Sequence, residues 1–438
     1  MAGVIALFGA AGAAPIHAAD LLETWRDAQQ SDALYASARA QRSAADERIP
    51  QARAGLLPTL SASANTTYND QDVHYRTPTL FPQGSQRYNS NGWNVTLAQP
   101  LFRWQNWVAY KQGELQVLQA EAQFGQARQE LALRTAQAYF DVLYGQDVLA
   151  SIVAQKEATT QQLELAKRSF DVGTVTITDV HEAQSRYDLA TAQEIAARAD
   201  LDVKRDNLRQ IIGREPDVLK RLRGNVALSA PVPDAVEQWV SSAETGALTV
   251  QAQRAAQEIA SREVERARAG HLPTLDVVAS YGRTGQGGSV TGVGSDIKQT
   301  TIGLQLAVPL YAGGSVSSRA REAQALRQKA DADLDFARRG AAFAARQAYL
   351  GVSSGRAQVK ALEAALLSSQ SSLDANKLGY EVGVRINIDV LNAQQQLYVT
   401  RRDLAKARYD TLMAQLKLKA AAGGLGEDDL AAVNALLE

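Results

Sequence analysis

No cysteine occurs among the 438 residues. Its absence excludes disulfides, thiol chemistry and cysteine-bound metal, and it leaves no cysteine for lipid attachment. Aromatic residues make up only 6% of the chain, too few for conventionally packed α/β layers. Glycine and proline are almost missing from long stretches rich in alanine, glutamine and arginine, which is the composition of extended helices. Neither sign of charge prevails, with 46 basic against 47 acidic residues. No basic stripe interleaved with aromatics stands out, so nucleic acid is not an expected partner. The four histidines, His17, His74, His181 and His271, have no companion at metal-ligand or triad spacing, so no metal, cofactor or catalytic residue is expected and the chain does not read as an enzyme. The glycine-rich segment 282–294 lacks the strand-loop-helix setting and the lysine of a phosphate loop and reads as a hairpin tip. Beyond the start of the chain no stretch has the 18 or more consecutive apolar residues of a spanning helix. Any membrane crossing must use strands.

What is present is present twice. RAGLLPTL (53–60) returns as RAGHLPTL (268–275), QPLF (99–102) as VPLY (308–311), and FDVGTVTITDVHEAQ (170–184) as YEVGVRINIDVLNAQ (380–394). The near-constant offset identifies two structural copies. Residues 1–19, an apolar run ending in small residues, resemble the later part of a secretory signal peptide, with a buried N-terminal helix as the alternative. The basic start of such a peptide is missing, and the start as given is expected to be truncated or mis-set.

Each copy predicts two strands. Residues 58–68 place Leu60, Ala62, Ala64, Thr66 and Tyr68 on one face, and 93–101 place Trp93, Val95 and Leu97 on one face. In the second copy Leu275, Val277, Ala279 and Tyr281 alternate with Asp276, Val278 and Ser280, and Ile302, Leu304, Leu306, Val308 and Leu310 alternate with Gly303, Gln305 and Ala307. These runs suit tilted strands crossing a bilayer, and the polar segments 69–92 and 284–299 read as outer loops. Two soluble hairpins would leave the same pattern. The aromatics Phe102, Trp104, Trp107 and Tyr311 favour a membrane–water interface, although Trp104 and Trp107 also suit helix packing. Four strands are too few to close a barrel, so the edges require partner chains.

The rest predicts helices. A helix over about 104–170, roughly 100 Å at 1.5 Å per residue, is matched by one over about 314–379. Turns at Gly173 and Gly383 lead into shorter helices, 179–213 and 389–422, and 20–54 and 234–269 supply further half-length helices. The apolar spacing is that of a coiled coil: Leu115, Leu118, Ala122, Gly125, Gln129, Ala132, Ala136, Tyr139, Leu143, Gln146, Ala150 and Val153 step by three and four, as do Ala341, Ala345, Ala348, Val352, Gly355, Val359, Leu362 and Leu366. The many alanine and polar positions suit helices curving around something wide. Asp179 and Asp389 each stand where a helix begins, and Glu182 lies three residues past Asp179, so N-terminal capping is one reading of both acids.

These repeated motifs, with ARYDTLMAQLKLKAAAG (407–423), resemble the TolC family of outer-membrane efflux and type I secretion channels over essentially the whole chain after residue 20. The resemblance implies mixed α and membrane-β architecture: a homotrimer whose chains each give four strands to a 12-stranded barrel continued by a coiled-coil periplasmic tunnel. It implies an outer-membrane location in a Gram-negative bacterium, contact with outer-membrane lipid, a periplasmic adaptor (membrane fusion protein) and an inner-membrane ABC or proton-driven transporter. By the same resemblance Tyr380 and Arg385 bond across to Thr178 and Asp179 to latch the periplasmic entrance, and Asp389 forms an acidic ring at the constriction. A second acidic position of the family pattern is Asn392 here, leaving one ring in place of two. The expected organisation is 1–19 signal-like, 20–213 first repeat with hairpin 58–101, 214–233 linker at mid-tunnel, 234–423 second repeat with hairpin 273–310, and 424–438 tail. The function expected is a passive exit duct, for type I protein secretion first and small-molecule efflux second. A periplasmic coiled-coil adaptor or scaffold without a pore is the non-channel alternative.

Overall fold

The computed structural model describes residues 18–224 and 226–438; the signal-like segment falls outside them except for Ala18 and Ala19. The chain divides into two compact units. One comprises residues up to Ala40, Gln123–Gln251 and Phe336–Glu438; the other comprises Gln41–Ala122 and Ala252–Asp335. In chain order the elements are α1 (Leu21–Ser31), α2 (Ala33–Asp46), α3 (Arg48–Ala54), β1 (Thr59–Val73), β2 (Gly84–Phe102), α4 (Trp104–Asp171), α5 (Ile177–Ile212), α6 (Val236–Gly246), α7 (Leu248–Arg268), β3 (Thr274–Gln286), β4 (Ser295–Ala307), α8 (Ser315–Glu381), α9 (Asn387–Ala421) and α10 (Glu427–Asn434). A short 3-10 turn, Ala269–His271, precedes β3.

The two long helices run unbroken for 68 and 67 residues, as the missing prolines predict. The half-length helices do break. Asp32 stops α1 and starts α2 by accepting the Tyr35 N–H at 2.7 Å, while Arg134 pairs with the same carboxylate at 3.0 Å. Pro50 lies in the first turn of α3, where its missing N–H costs nothing.

The heptad reading locates the buried faces. Ala122, Gln129, Ala132, Ala136, Tyr139 and Leu143 are buried along α4, and Ala341, Ala345, Val352 and Val359 along α8, whereas Leu118 and Val153 of the same α4 stripe are exposed. Within the first unit Tyr139, Phe140 and Leu143 form a core with Leu208, Leu412, Leu416 and Leu430. The Tyr139 hydroxyl lies 2.8 Å from the Lys220 carbonyl and 3.2 Å from that of Ala19. The linker region joins this core through bridges between Ala19 and Leu219 and between Leu222 and Leu437. Residues 424–438 are not a loose tail: Leu430, Val433 and Leu437 of α10 and its exit are buried there.

In the second unit one antiparallel sheet has the order β1-β2-β3-β4. The strands reach beyond the apolar alternation. Residues 69–73, 84–92, 284–286 and 295–299 are polar yet continue the ladder, leaving connections of 74–83 and 287–294. Backbone pairing continues without any hydrophobic signature once both faces meet water. At the other end β4 stops at Ala307, before Pro309, which has no N–H for a ladder.

Candidate functional site

Register decides what the sheet is for. Leu60 stands opposite Leu97, Leu97 opposite Ala279 and Ala279 opposite Ile302; Ala62 stands opposite Val95, Val95 opposite Tyr281; and Val277 stands opposite Leu304. Directly opposed residues share a face, so the apolar sets of all four strands coincide. The other face carries Ser61, Ser63, Asn94, Thr96, Ser280 and Gln305. The apolar set is exposed at Leu60, Leu97, Ile302, Leu304 and Leu306. A sheet with one exposed apolar face and one polar face is the wall of a transmembrane barrel, lipid on one side and water on the other.

The predicted aromatics lie where the sheet gives way to helix. Phe102 closes β2, Trp104 and Trp107 open α4, and Tyr311 follows β4, all exposed. Trp104 donates to Glu265 at 3.1 Å, and Trp107 lies beside Tyr110 with Lys111 over its ring. Between them Arg103 grips Asp276 of β3 with two bonds of 2.8 and 2.7 Å. That bidentate pair fixes the junction, and Asp276 is buried. In the sequence Asp276 stands out only as one alternating residue of its strand. At the far end of the apolar face Trp93 meets Tyr281 edge to face at 5.5 Å.

The helix tips repeat one geometry. Gly173 and Gly383 have φ of 79° and 80°, left-handed values that only glycine adopts without strain. Thr174 N–H returns to Ser169 O at 2.8 Å, and Val384 N–H to Gly379 O at 2.9 Å, closing both long helices in the same way. Thr178 and Asp179 lie in the first turn of α5. Its cap is Thr176, not Asp179: the Asp179 carboxylate sits three residues on and accepts from Thr176 N at 3.0 Å and Thr176 Oγ1 at 2.8 Å. The capping box is therefore one turn earlier than the Asp179–Glu182 spacing suggested. Asp389 lies in the first turn of α9, favourable for a carboxylate beside the helix N-terminus. Its carboxylate does not cap the helix; Arg385 pairs with it at 3.6 Å. Tyr380 packs against Leu373, Val390 and Leu397. Among the described residues no hydrogen bond joins Tyr380 or Arg385 to Thr178 or Asp179.

Other residues hold the tip helices together. Gln162 of α4 donates to Asn387 of α9 at 2.6 Å, and Asn387 donates to the Asp179 carbonyl at 3.2 Å. Arg186 of α5 donates to Asn392 at 3.0 Å and also to Gln395. Asn392, where the resemblance expects an acid, thus accepts from a cation. Higher on the same helices Glu194, buried, takes Lys156 at 2.9 Å and also pairs with Arg198. The Lys156 hydrogen bond, with the charges of Lys156 and Arg198, holds its carboxyl below the usual range.

Residues 25–214 and 239–424, nearly all of both copies, match the Outer membrane efflux protein family. The chain belongs to this family. Outer membrane protein TolC of Vibrio cholerae is 33% identical over 425 residues, covering 97% of this chain and 95% of the relative. Proteases secretion protein PrtF of Dickeya chrysanthemi is 34% identical over 416 residues, covering 94% and 89%. The crystal structure of the Vibrio cholerae outer membrane protein VceC superposes with a TM-score of 0.77 at 21% identity, covering 92% of this chain and 96% of that one. The resemblance carried by the doubled motifs therefore holds, with its fold class and its outer-membrane location. The efflux-family sheet supplies four barrel strands, and the efflux-family helices supply the long periplasmic part. This family is one of channels, which agrees with the reading of the chain as no enzyme.

Proposed function

We propose that the chain is the outer-membrane exit duct of a tripartite export system. It assembles as a homotrimer around a water-filled pore and passively conducts cargo received from an inner-membrane transporter through a periplasmic adaptor. The observation that carries this reading is the sheet: one apolar face, one polar face, and two outer edges, on β1 and β4, without partners among the described residues. Unpaired edges inside a bilayer leave N–H and C=O groups unsatisfied at several kcal/mol each, so further copies must close the barrel. A heptad stripe on α8 supports the same assembly, with Phe336, Phe343 and Leu350 exposed at 79%, 69% and 57%. Large apolar residues at that spacing call for a neighbouring helix.

Type I protein secretion, including that of toxins, is the cargo class proposed, supported by a relative named for protease secretion and matched over 89% of its length. Small-molecule efflux is the second reading, supported by the family's own name. Phe102, Trp104, Trp107 and Tyr311 form the inner aromatic girdle in lipid, and Trp93 with Tyr281 the outer one. They are about nine residue steps apart, or ~30 Å of strand, which at a tilt near 40° spans about the 25 Å apolar band of such barrels. At the tip Tyr380, Arg385, Thr178 and Asp179 act as the latch and Asp389 as the acidic ring. With Asn392 neutral, that ring attracts cations less than a double ring would.

Single-channel recording of the purified protein in planar bilayers tests the duct. A small native conductance that rises several-fold in Tyr380→Phe, Arg385→Ser is the expected result. A native pore unchanged by the pair of substitutions discards that latch and keeps the duct. No conductance from folded protein, with extraction from cells without detergent, returns the non-channel scaffold.

A further inference from the structure

Asn387 is the first residue of α9 and has no exposed surface. Its Oδ1 accepts from Gln162 of α4, itself buried, at 2.6 Å, and its Nδ2 donates to the Asp179 carbonyl in the first turn of α5 at 3.2 Å. Among the described residues it is the one side chain of α9 hydrogen-bonded to both α4 and α5. The surroundings are apolar, with Leu163, Ala166, Ala183 and Leu391 buried in one cluster at the same level.

A buried amide in such a place behaves differently from a leucine. While the three helix ends touch, its donor and acceptor are both satisfied in a dry site, where a hydrogen bond is electrostatically strong. Once α9 moves from either neighbour, the amide is unpaired only until water reaches it, and water then replaces both bonds. An apolar seal resists wetting throughout its separation; an amide bridge resists only the first step. This is the behaviour of a contact that holds firmly when shut and yields when displaced. Within the single chain Arg385 is held by Asp389 at 3.6 Å and Tyr380 sits in the α8–α9 apolar cluster, so the Asn387 bridge is a contact separate from the latch proposed for those two residues.

We infer that Asn387, acting with Gln162, latches the beginning of α9 to α4 and α5 in the closed tip, as a positioning residue of the gate. This rests on the reading of the tip as a gate. Asn387→Leu keeps the volume and removes the amide, leaving Gln162 Nε2 without its acceptor. The closed state then loses a satisfied buried pair, and open-state occupancy in planar bilayers should rise about ten-fold, equivalent to about 1.4 kcal/mol. Gln162→Leu with Asn387→Leu removes both partners and makes an apolar seal, so closure should return to the native level or beyond it. A residue that only stabilises the helices would shift the melting temperature of the single variant without moving its open occupancy.

Native channels that open normally alongside an Asn387→Leu variant of unchanged occupancy overturn the latch and leave the duct standing. Single and double variants that open equally overturn it as well, because the polar pair would then have no role of its own. No conductance from folded native protein removes the duct reading and the latch with it. Should Asn387→Leu fail to fold, Gln162→Leu removes the same bond from the α4 side and carries the same expectation.

Discussion

Tyr409→Phe removes one hydrogen bond and leaves the packing in place. The Tyr409 ring is buried and stacks on Phe140 with centroids 5.7 Å apart, contacts that phenylalanine retains. The hydroxyl donates to Asp147 of α4 at 2.8 Å. Burial pushes the Asp147 carboxyl up, and the Tyr409 bond, with the charges of Arg221 and Arg408, draws it partly back. Removing the hydroxyl therefore raises it further. Because the folded value exceeds the unfolded one, the contribution of Asp147 to stability is fully present below the unfolded value of 3.8 and is lost as pH rises through the folded value. In the variant the same loss is larger. At about pH 3, below the unfolded value of 3.8, where the acid is mostly protonated both folded and unfolded, the substitution removes a neutral hydrogen bond, about 0.5–1.5 kcal/mol. At about pH 8 it removes one to a carboxylate, about 1.5–3 kcal/mol. The deficit should therefore grow by about 1 kcal/mol between the two, a melting shift of about 1 °C for a chain of 438 residues. Far-ultraviolet circular dichroism of the detergent-solubilised protein, melted at both pH values, measures it. An equal deficit at both, or a larger one in acid, refutes the reasoning.

Two further pairs of substitutions probe the sheet and the helix packing. Leu304→Arg puts a charge on the apolar face opposite Val277 and should cost about 2–4 kcal/mol near the bilayer midplane, lowering the yield of membrane-inserted protein. Gln305→Arg, on the polar face next to it, should insert normally; equal losses would reverse the face assignment. Gly355→Val drives a side chain of α8 into Thr411 of α9, whose hydroxyl already occupies the space a Cβ would fill. Overpacking there should cost about 1–3 kcal/mol in urea unfolding, and Thr411→Ala in the same chain should recover part of it.

Much of the fold is legible in the amino-acid order because it is periodic. The doubled motifs mark two copies, the missing prolines set the long helices, and steps of three and four single out Ala136, Tyr139 and Leu143 for burial. Gly173 and Gly383 announce the tip turns, since only a residue without a Cβ suits a left-handed position there. Other features are invisible for equally physical reasons. The polar strand extensions have pairing without hydrophobic contrast, and pairing leaves no mark on composition. Asp32 breaks the first half-length helix through a local cap and Pro50 suits only the first turn of a new one, signals that weigh little in a pattern dominated by alanine.

At the candidate site the division is sharper. The residues named by resemblance do lie at the tip, but Asp179 spends its carboxylate on its own capping box and Asp389 on Arg385, partners within the same turn. Gln162 and Asn387 stand 225 positions apart, and Tyr409 and Asp147 stand 262 apart. A hydrogen bond over such a separation depends on the rotational phase of one helix against another, and no run of neighbouring residues encodes that phase. The amino-acid order alone determined the long helices, the tip turns and the apolar parts of the strands, because local backbone and solvent preferences repeat along the chain. Tertiary structure alone decided which apolar sets share a face and which buried polar groups meet, because those depend on strand register and helix phase.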